Sequence, residues 1–140
     1  MLGYKILVIA GILVSGEHRV PVEIADIIAA CVVEESSRQG VDMALVLGIM
    51  EVESGFNPMP RDSGKGCVGL MQINPRYWER YDVYSLHGNI YWGVKIINNL
   101  QKQGFTRREV LKRYHGLGSD GKYEAKVLTK IKKWEAILRK

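Results

Sequence analysis

The stretch "VDMALVLGIMEVES", residues 41–54, constrains this chain more than any other. Asp42 is a residue suited to cap a helix, and the residues after it are apolar on almost every face of a 3.6-residue repeat. A helix apolar all round must be covered by other elements, so the stretch predicts a buried central helix. The covering helices are legible on both sides. Upstream, "VEIADIIAACVVEESSRQG" spaces Ile24, Ile27, Ile28, Cys31 and Val32 at helical intervals and stops at Gly40, a natural C-terminal cap. Downstream, "NIYWGVKIINNLQKQG" sets Ile90, Val94, Ile97 and Leu100 on one stripe, and Thr106 with Glu109 forms the pattern of a capping box for "RREVLKRY". A last helix, "KYEAKVLTKIKKWEAILRK", turns Val127, Ile131, Trp134 and Leu138 inward. Between Gly55 and Gly69 glycine and proline recur, which predicts loop with at most a short irregular hairpin. The expected fold class is mostly α: one helical domain with a small irregular insert.

A chain of 140 residues can bury roughly two-thirds of its unfolded surface and needs no staples. Its net charge of +5 is unevenly placed: from Lys102 onward there are twelve Lys and Arg against four acids. Such a face attracts polyanions, but no aromatic-interleaved nucleic-acid motif accompanies the lysines, and no nucleic acid is expected. The opening "MLGYKILVIAGILVSG" has a positive start at Lys5, an apolar run from Ile6 to Val14, and small residues before "EHR". That is signal-peptide grammar, and the run is too short to span a bilayer. Residues 1–16 are therefore expected to be an export signal or N-terminal anchor, with a plain buried N-terminal segment as the alternative, and residues 17–140 the domain. Cys31 and Cys67 could pair in an oxidising compartment or remain separate buried thiols.

Glu53 continues the apolar stripe of Val46, Ile49 and Met50, whereas Glu51 points to another side. A carboxyl against apolar neighbours has its charged form disfavoured, which suits a general acid. A solvated or capping glutamate is the alternative. In "GLMQIN", Gln72 and Asn74 alternate on what reads as an extended segment, so both point the same way. Two amides on one wall suit sugar hydroxyls and acetamido groups, or they satisfy loop backbone. "YHGLGSDGKY" places Tyr114, His115 and Tyr123 around a glycine turn, as stacking faces for pyranose rings or as core.

"ESGFNP", "SGKGCVGLMQINP", "NIYWGVKIINNL" and "YHGLGSDGKY", in this order and spacing, resemble the successive motifs of the SLT-type lytic transglycosylases, lysozyme-like enzymes that cut bacterial peptidoglycan. The resemblance runs from about Ile24 to Val127. It implies an α+β lysozyme-like fold whose insert forms a saccharide cleft. Glu53 would then be the sole catalytic acid and base, and Ser54 would shape its surroundings. Ser63, Gln72 and Asn74 would line the groove, and Tyr114 would sit against the catalytic carboxylate. Asn89 and Gly93 match positions read as structural. His115 stands where the family usually has asparagine and "GLG" follows where Ala-Gly is expected, so the local turn departs from the family pattern; Cys67 stands where alanine is common, which packing tolerates. His115 and Tyr123 join the substrate-binding candidates.

An ordinary glycosidase needs a second carboxylate across the scissile bond. The sequence offers Glu51, which faces elsewhere, and Asp62, in the loop. The family's chemistry needs none: Glu53 protonates the glycosidic oxygen between N-acetylmuramic acid and N-acetylglucosamine. It then acts as base while the muramoyl C6 hydroxyl closes on C1, giving a 1,6-anhydro end with no metal or organic cofactor. The competing expectations are a muramidase using water and a non-catalytic wall-binding subunit. Peptidoglycan glycan strands are the expected partner of an exported, periplasmic or envelope-bound monomer. It would serve a secretion, pilus or conjugation apparatus, or a phage.

Overall fold

A computed structural model describes residues 2–60, 66–77, 82–116 and 120–139. Six helices account for most of them: α1 (Leu2–Ser15), α2 (Val22–Gln39), α3 (Met43–Ser54), α4 (Leu86–Lys102), α5 (Arg107–His115) and α6 (Lys122–Leu138). The mostly helical class expected from periodicity is the class observed.

Helix α3 is the buried centre. Every residue from Ala44 to Glu51 is buried, and Asp42 starts the helix by accepting from the Ala44 amide at 2.9 Å. Its principal neighbour is α6, which brings Val127, Ile131 and Trp134 onto it. Gly48 permits that approach, because a Cβ there would lie 2.7 Å from Ile131 Cγ1. Fully burying side chains of this size contributes roughly 1.5–3 kcal/mol each, so this seam is a main source of stability. Helix α2 ends at Gly40 with φ 70 and packs on both α3 and α4. The Thr106–Glu109 capping box opens α5 as the sequence suggests.

Residues read from sequence as a leader form α1, which packs on α2 and puts Ile9, Ala10 and Leu13 into the common core. Its outer face leaves Leu2, Tyr4 and Leu7 exposed. Among the described residues no helix is long and apolar enough to cross a membrane.

Between α3 and α4 the extended pairing among the described residues is one antiparallel bridge, Val68 with Ile73, in which each amide donates to the other's carbonyl at 2.9 and 3.0 Å. The four residues between them turn tightly, and Gln72 takes a left-handed φ of 50. The segment is thus not extended at Gln72, and the alternation expected of Gln72 and Asn74 does not apply. Ser63 and Asp62 lie outside the described residues. Cys31 is buried and Cys67 half-buried, and no disulfide joins them. Burial, and after it the negative charges of Glu34 and Glu35, pushes the Cys31 thiol up to about 11.

Candidate active site

Glu53 occupies the last turn of α3, where the apolar stripe meets the surface, and its side chain is 13% exposed. Its Oε2 accepts from the Tyr123 hydroxyl at 2.8 Å. Burial first, and the Glu53 charge next, hold the Tyr123 phenol far above the ordinary tyrosine range, so it stays protonated and remains a donor. The His115 ring stacks on Tyr123 with centroids 4.0 Å apart and planes 12° from parallel. Its Nδ1 lies 3.9 Å from Glu53 Oε2. Three elements thus converge on one carboxylate: the end of α3, the end of α5 and the first turn of α6.

Tyr114 does not donate to that carboxylate. Its hydroxyl donates to the Met71 carbonyl at 2.6 Å, fastening α5 to the loop before α4. Burial, then the charges of Glu53 and Cys67, raise its phenol well above the usual range. The same loop is clamped from the other side by Asn89, which is 1% exposed. Asn89 Oδ1 accepts from the Met71 amide at 2.7 Å, and Nδ2 donates to the carbonyls of Val68 at 3.0 Å and Val83 at 2.7 Å. Gly93 completes the seat, since a Cβ there would lie 2.6 Å from Met71 Cγ. The structural reading of Asn89 and Gly93 has its physical basis in these contacts.

Gln72 Nε2 donates to the Gly69 carbonyl at 3.0 Å, and Asn74 Oδ1 accepts from the Arg76 amide at 3.0 Å. Both amides therefore satisfy local backbone, and both also line recesses. The Ser54 hydroxyl donates back to the Met50 carbonyl at 3.1 Å, within its own helix. Three recesses share walls in series. One of about 490 Å³ holds Glu53, Tyr123, Asp120, Lys122, Lys126 and His115. His115 also borders a second of about 370 Å³, with Tyr114, Asn74 and Gln72. Gln72 and Cys67 border a third of about 480 Å³, walled by Pro58, Met59 and Tyr84.

Sequence reasoning does not single out Asp120, Lys122 or Lys126. Lys126 carries a usable signal, being three residues from Tyr123 on one helix face. Asp120 Oδ1 accepts from the Lys122 amide at 3.1 Å and its Oδ2 lies 3.6 Å from Lys122 Nζ, with the carboxylate 65% exposed.

Glu51 faces away from these recesses, as its register requires. Its buried carboxylate accepts from Lys133 Nζ at 2.8 Å and Trp134 Nε1 at 2.9 Å, and shares a 2.8 Å hydrogen bond with His18 Nε2. Burial alone would raise its pKa, but the hydrogen bonds of Lys133, His18 and Trp134 and the Lys133 charge together pull it down to about 2. Ligand atoms of Glu17, His18 and Glu51 lie within 4.8 Å of one another, yet Lys133 at 2.8 Å and Lys130 at 3.5 Å already neutralise Glu51 and oppose a metal ion. The cluster ties the α1–α2 connection to α3 and α6.

Comparison with known proteins gives the chain its family. A 53-residue match is 51% identical to a protein named membrane-bound lytic murein transglycosylase C from Glaesserella parasuis serovar 5 (strain SH0165), covering 38% of this chain and 14% of that protein. A 95-residue match is 34% identical to a transglycosylase of Enterobacteria phage PRD1, covering 65% of this chain and 35% of the phage protein. The chain therefore corresponds to a minor part of each relative's length. No solved structure matches. The profile of the family described as transglycosylase SLT domain matches residues 30–135, most of the chain, and the chain belongs to that family.

Proposed function

We propose that the chain is a peptidoglycan lytic transglycosylase in which Glu53 serves alone as acid and then base. The observation that carries this is Glu53 itself: a mostly buried carboxylate, held by a permanently protonated Tyr123, opening on a recess whose walls continue past His115 and Gln72. In its protonated form this carboxyl can give its proton to a glycosidic oxygen. The resulting carboxylate, still accepting from Tyr123, then takes the proton of the muramoyl C6 hydroxyl as that oxygen closes on C1. Bond cleavage and ring closure balance without water, and the product ends in a 1,6-anhydro sugar.

Recesses in series suit successive rings of a polymer. Gln72, Asn74, Tyr114, His115 and Tyr123 are the substrate-facing candidates, with Ser63 as the sequence-derived addition. A hydrolytic muramidase is favoured by one observation: Asp120 lines the same recess as Glu53. Against it, Asp120 is engaged with Lys122 and mostly solvated, a poor position from which to activate a water across a sugar ring.

The envelope is the expected place of action, in line with the name membrane-bound carried by one relative, and the phage relative supports a viral setting alongside a secretion, pilus or conjugation machine. Release of dye-labelled fragments from purified sacculi by the full chain tests the reading. Glu53→Gln is expected to lower release by at least about a hundredfold, the usual contribution of a positioned acid and base. Equal release by both proteins would remove Glu53 from the chemistry, and binding without release by either would make the chain a wall-binding subunit.

A further inference from the structure

Two lysines, Lys122 and Lys126, line the Glu53 recess. Lys122 is paired with Asp120 at 3.6 Å, whereas Lys126 is exposed and makes no ion pair among the described residues. Lys126 lies one turn beyond Tyr123 on α6, which places both on one helix face, and both line the recess with Glu53. On the far side of His115 the adjoining walls carry the neutral amides of Gln72 and Asn74, the rings of Tyr77 and Tyr114, and one guanidinium, that of Arg113, which lies 4.1 Å over the Phe105 ring. Neutral acetamido sugars satisfy amides and aromatic faces. An exposed ammonium on the wall of the Glu53 recess, with no ion-pair partner among the described residues, is available to an anionic group of a bound ligand.

Along a peptidoglycan strand, a negative charge arises at the muramoyl ring, through its lactyl substituent. That substituent ends either in its own carboxylate or in a peptide bearing carboxylates. We propose that Lys126 is a specificity-determining cation that receives a carboxylate carried by the muramoyl substituent, so that the recess beside Glu53 selects the acidic sugar over a neutral one. This rests on the peptidoglycan reading above. The ammonium reaches out from the wall on a flexible four-carbon stem, which suits a substituent projecting from the ring rather than the ring itself.

The test measures equilibrium binding of uncut strands, so it does not depend on turnover. The full chain carrying Glu53→Gln is compared with the same chain carrying also Lys126→Met, or Lys132→Met as a charge-matched control elsewhere on α6. Three glycan strands of equal length serve as probes: peptide-bearing, peptide-stripped with a free lactyl carboxylate, and peptide-stripped with that carboxylate amidated. Lys126→Met is expected to weaken binding about five-fold on at least one carboxylate-bearing strand, the scale of an exposed ion pair, with the difference shrinking as salt is raised. Loss confined to the peptide-bearing strand assigns the peptide carboxylate, and loss confined to the free lactyl strand assigns the lactyl group. Lys132→Met and the amidated strand should show no such loss. Binding unaffected by Lys126→Met, or weakened equally on the amidated strand, overturns the proposal and leaves the peptidoglycan reading standing. No binding of any strand by the parent chain overturns both.

Discussion

The Tyr123 hydroxyl donates to Glu53 Oε2 across 2.8 Å, so the carboxylate on the last turn of α3 is oriented by the first turn of α6. A hydrogen bond to a charged group is worth roughly 1.5–3 kcal/mol, and this one is made to the group proposed to alternate between acid and base. Tyr123→Phe is therefore expected to lower kcat by about ten- to one-hundredfold with KM little changed. Steady-state kinetics on soluble glycan strands checks this, and an unchanged kcat would detach Tyr123 from the mechanism.

Glu51 makes acid stability a property of the α3–α6 seam. Its folded pKa of about 2 lies below the ordinary value of 4.5, so its contribution is fully present above about pH 4.5 and is lost as pH falls toward 2. A shift of this size corresponds to roughly 3 kcal/mol. Glu51→Gln should destabilise the protein by about that amount at pH 7, with the gap to wild type closing between pH 4.5 and pH 2. Denaturant melts across this range read it. A gap independent of pH would mean that the ion pairs are not its source.

Asn89 satisfies three backbone groups around the loop that seats Tyr114. Asn89→Leu keeps the branching and heavy-atom count of the side chain but orphans those groups, at an expected cost of about 2–4 kcal/mol. Because Met71 also accepts from Tyr114, activity should fall at temperatures where the variant is still folded. Circular dichroism melting with parallel rate measurements would separate the two effects, and a variant as stable as wild type would contradict the clamp.

Much of this is legible in the sequence, and the limits have physical reasons. The helices are readable because their apolar residues keep one period and their caps stand at Gly40, Asp42 and Thr106. Glu53 stands out for the same reason, being where an apolar stripe turns acidic. Which tyrosine reaches it is not readable, because Tyr114 and Tyr123 lie on opposite sides of a glycine turn and only the relative placement of α5 and α6 decides between them. Gln72 reads as extended because a left-handed φ at a non-glycine residue leaves no pattern in the sequence. The opening segment has the composition of a leader, yet that same composition lets α1 bury one face on α2.

That duality makes α1 testable. Ile9 and Leu13 are fully buried, and each replaced by Ala should cost about 2–5 kcal/mol if the packed helix persists in the functional protein. Thermal melts of the full chain with Ile9→Ala and Leu13→Ala decide it. Melting temperatures unchanged by both would mean that the domain does not depend on α1 and that the segment is free to act as a leader or anchor.

The central claim is that Glu53 acts without a second carboxylate and without water. Mass spectrometry of the fragments released from intact peptidoglycan by the full chain, with Glu53→Gln and Asp120→Asn alongside, tests it most directly. Muropeptides ending in 1,6-anhydro sugar, released by wild type and Asp120→Asn but not by Glu53→Gln, are the predicted result. Reducing ends from wild type, lost in Asp120→Asn, would contradict it and make the enzyme a hydrolase with Asp120 as its second acid.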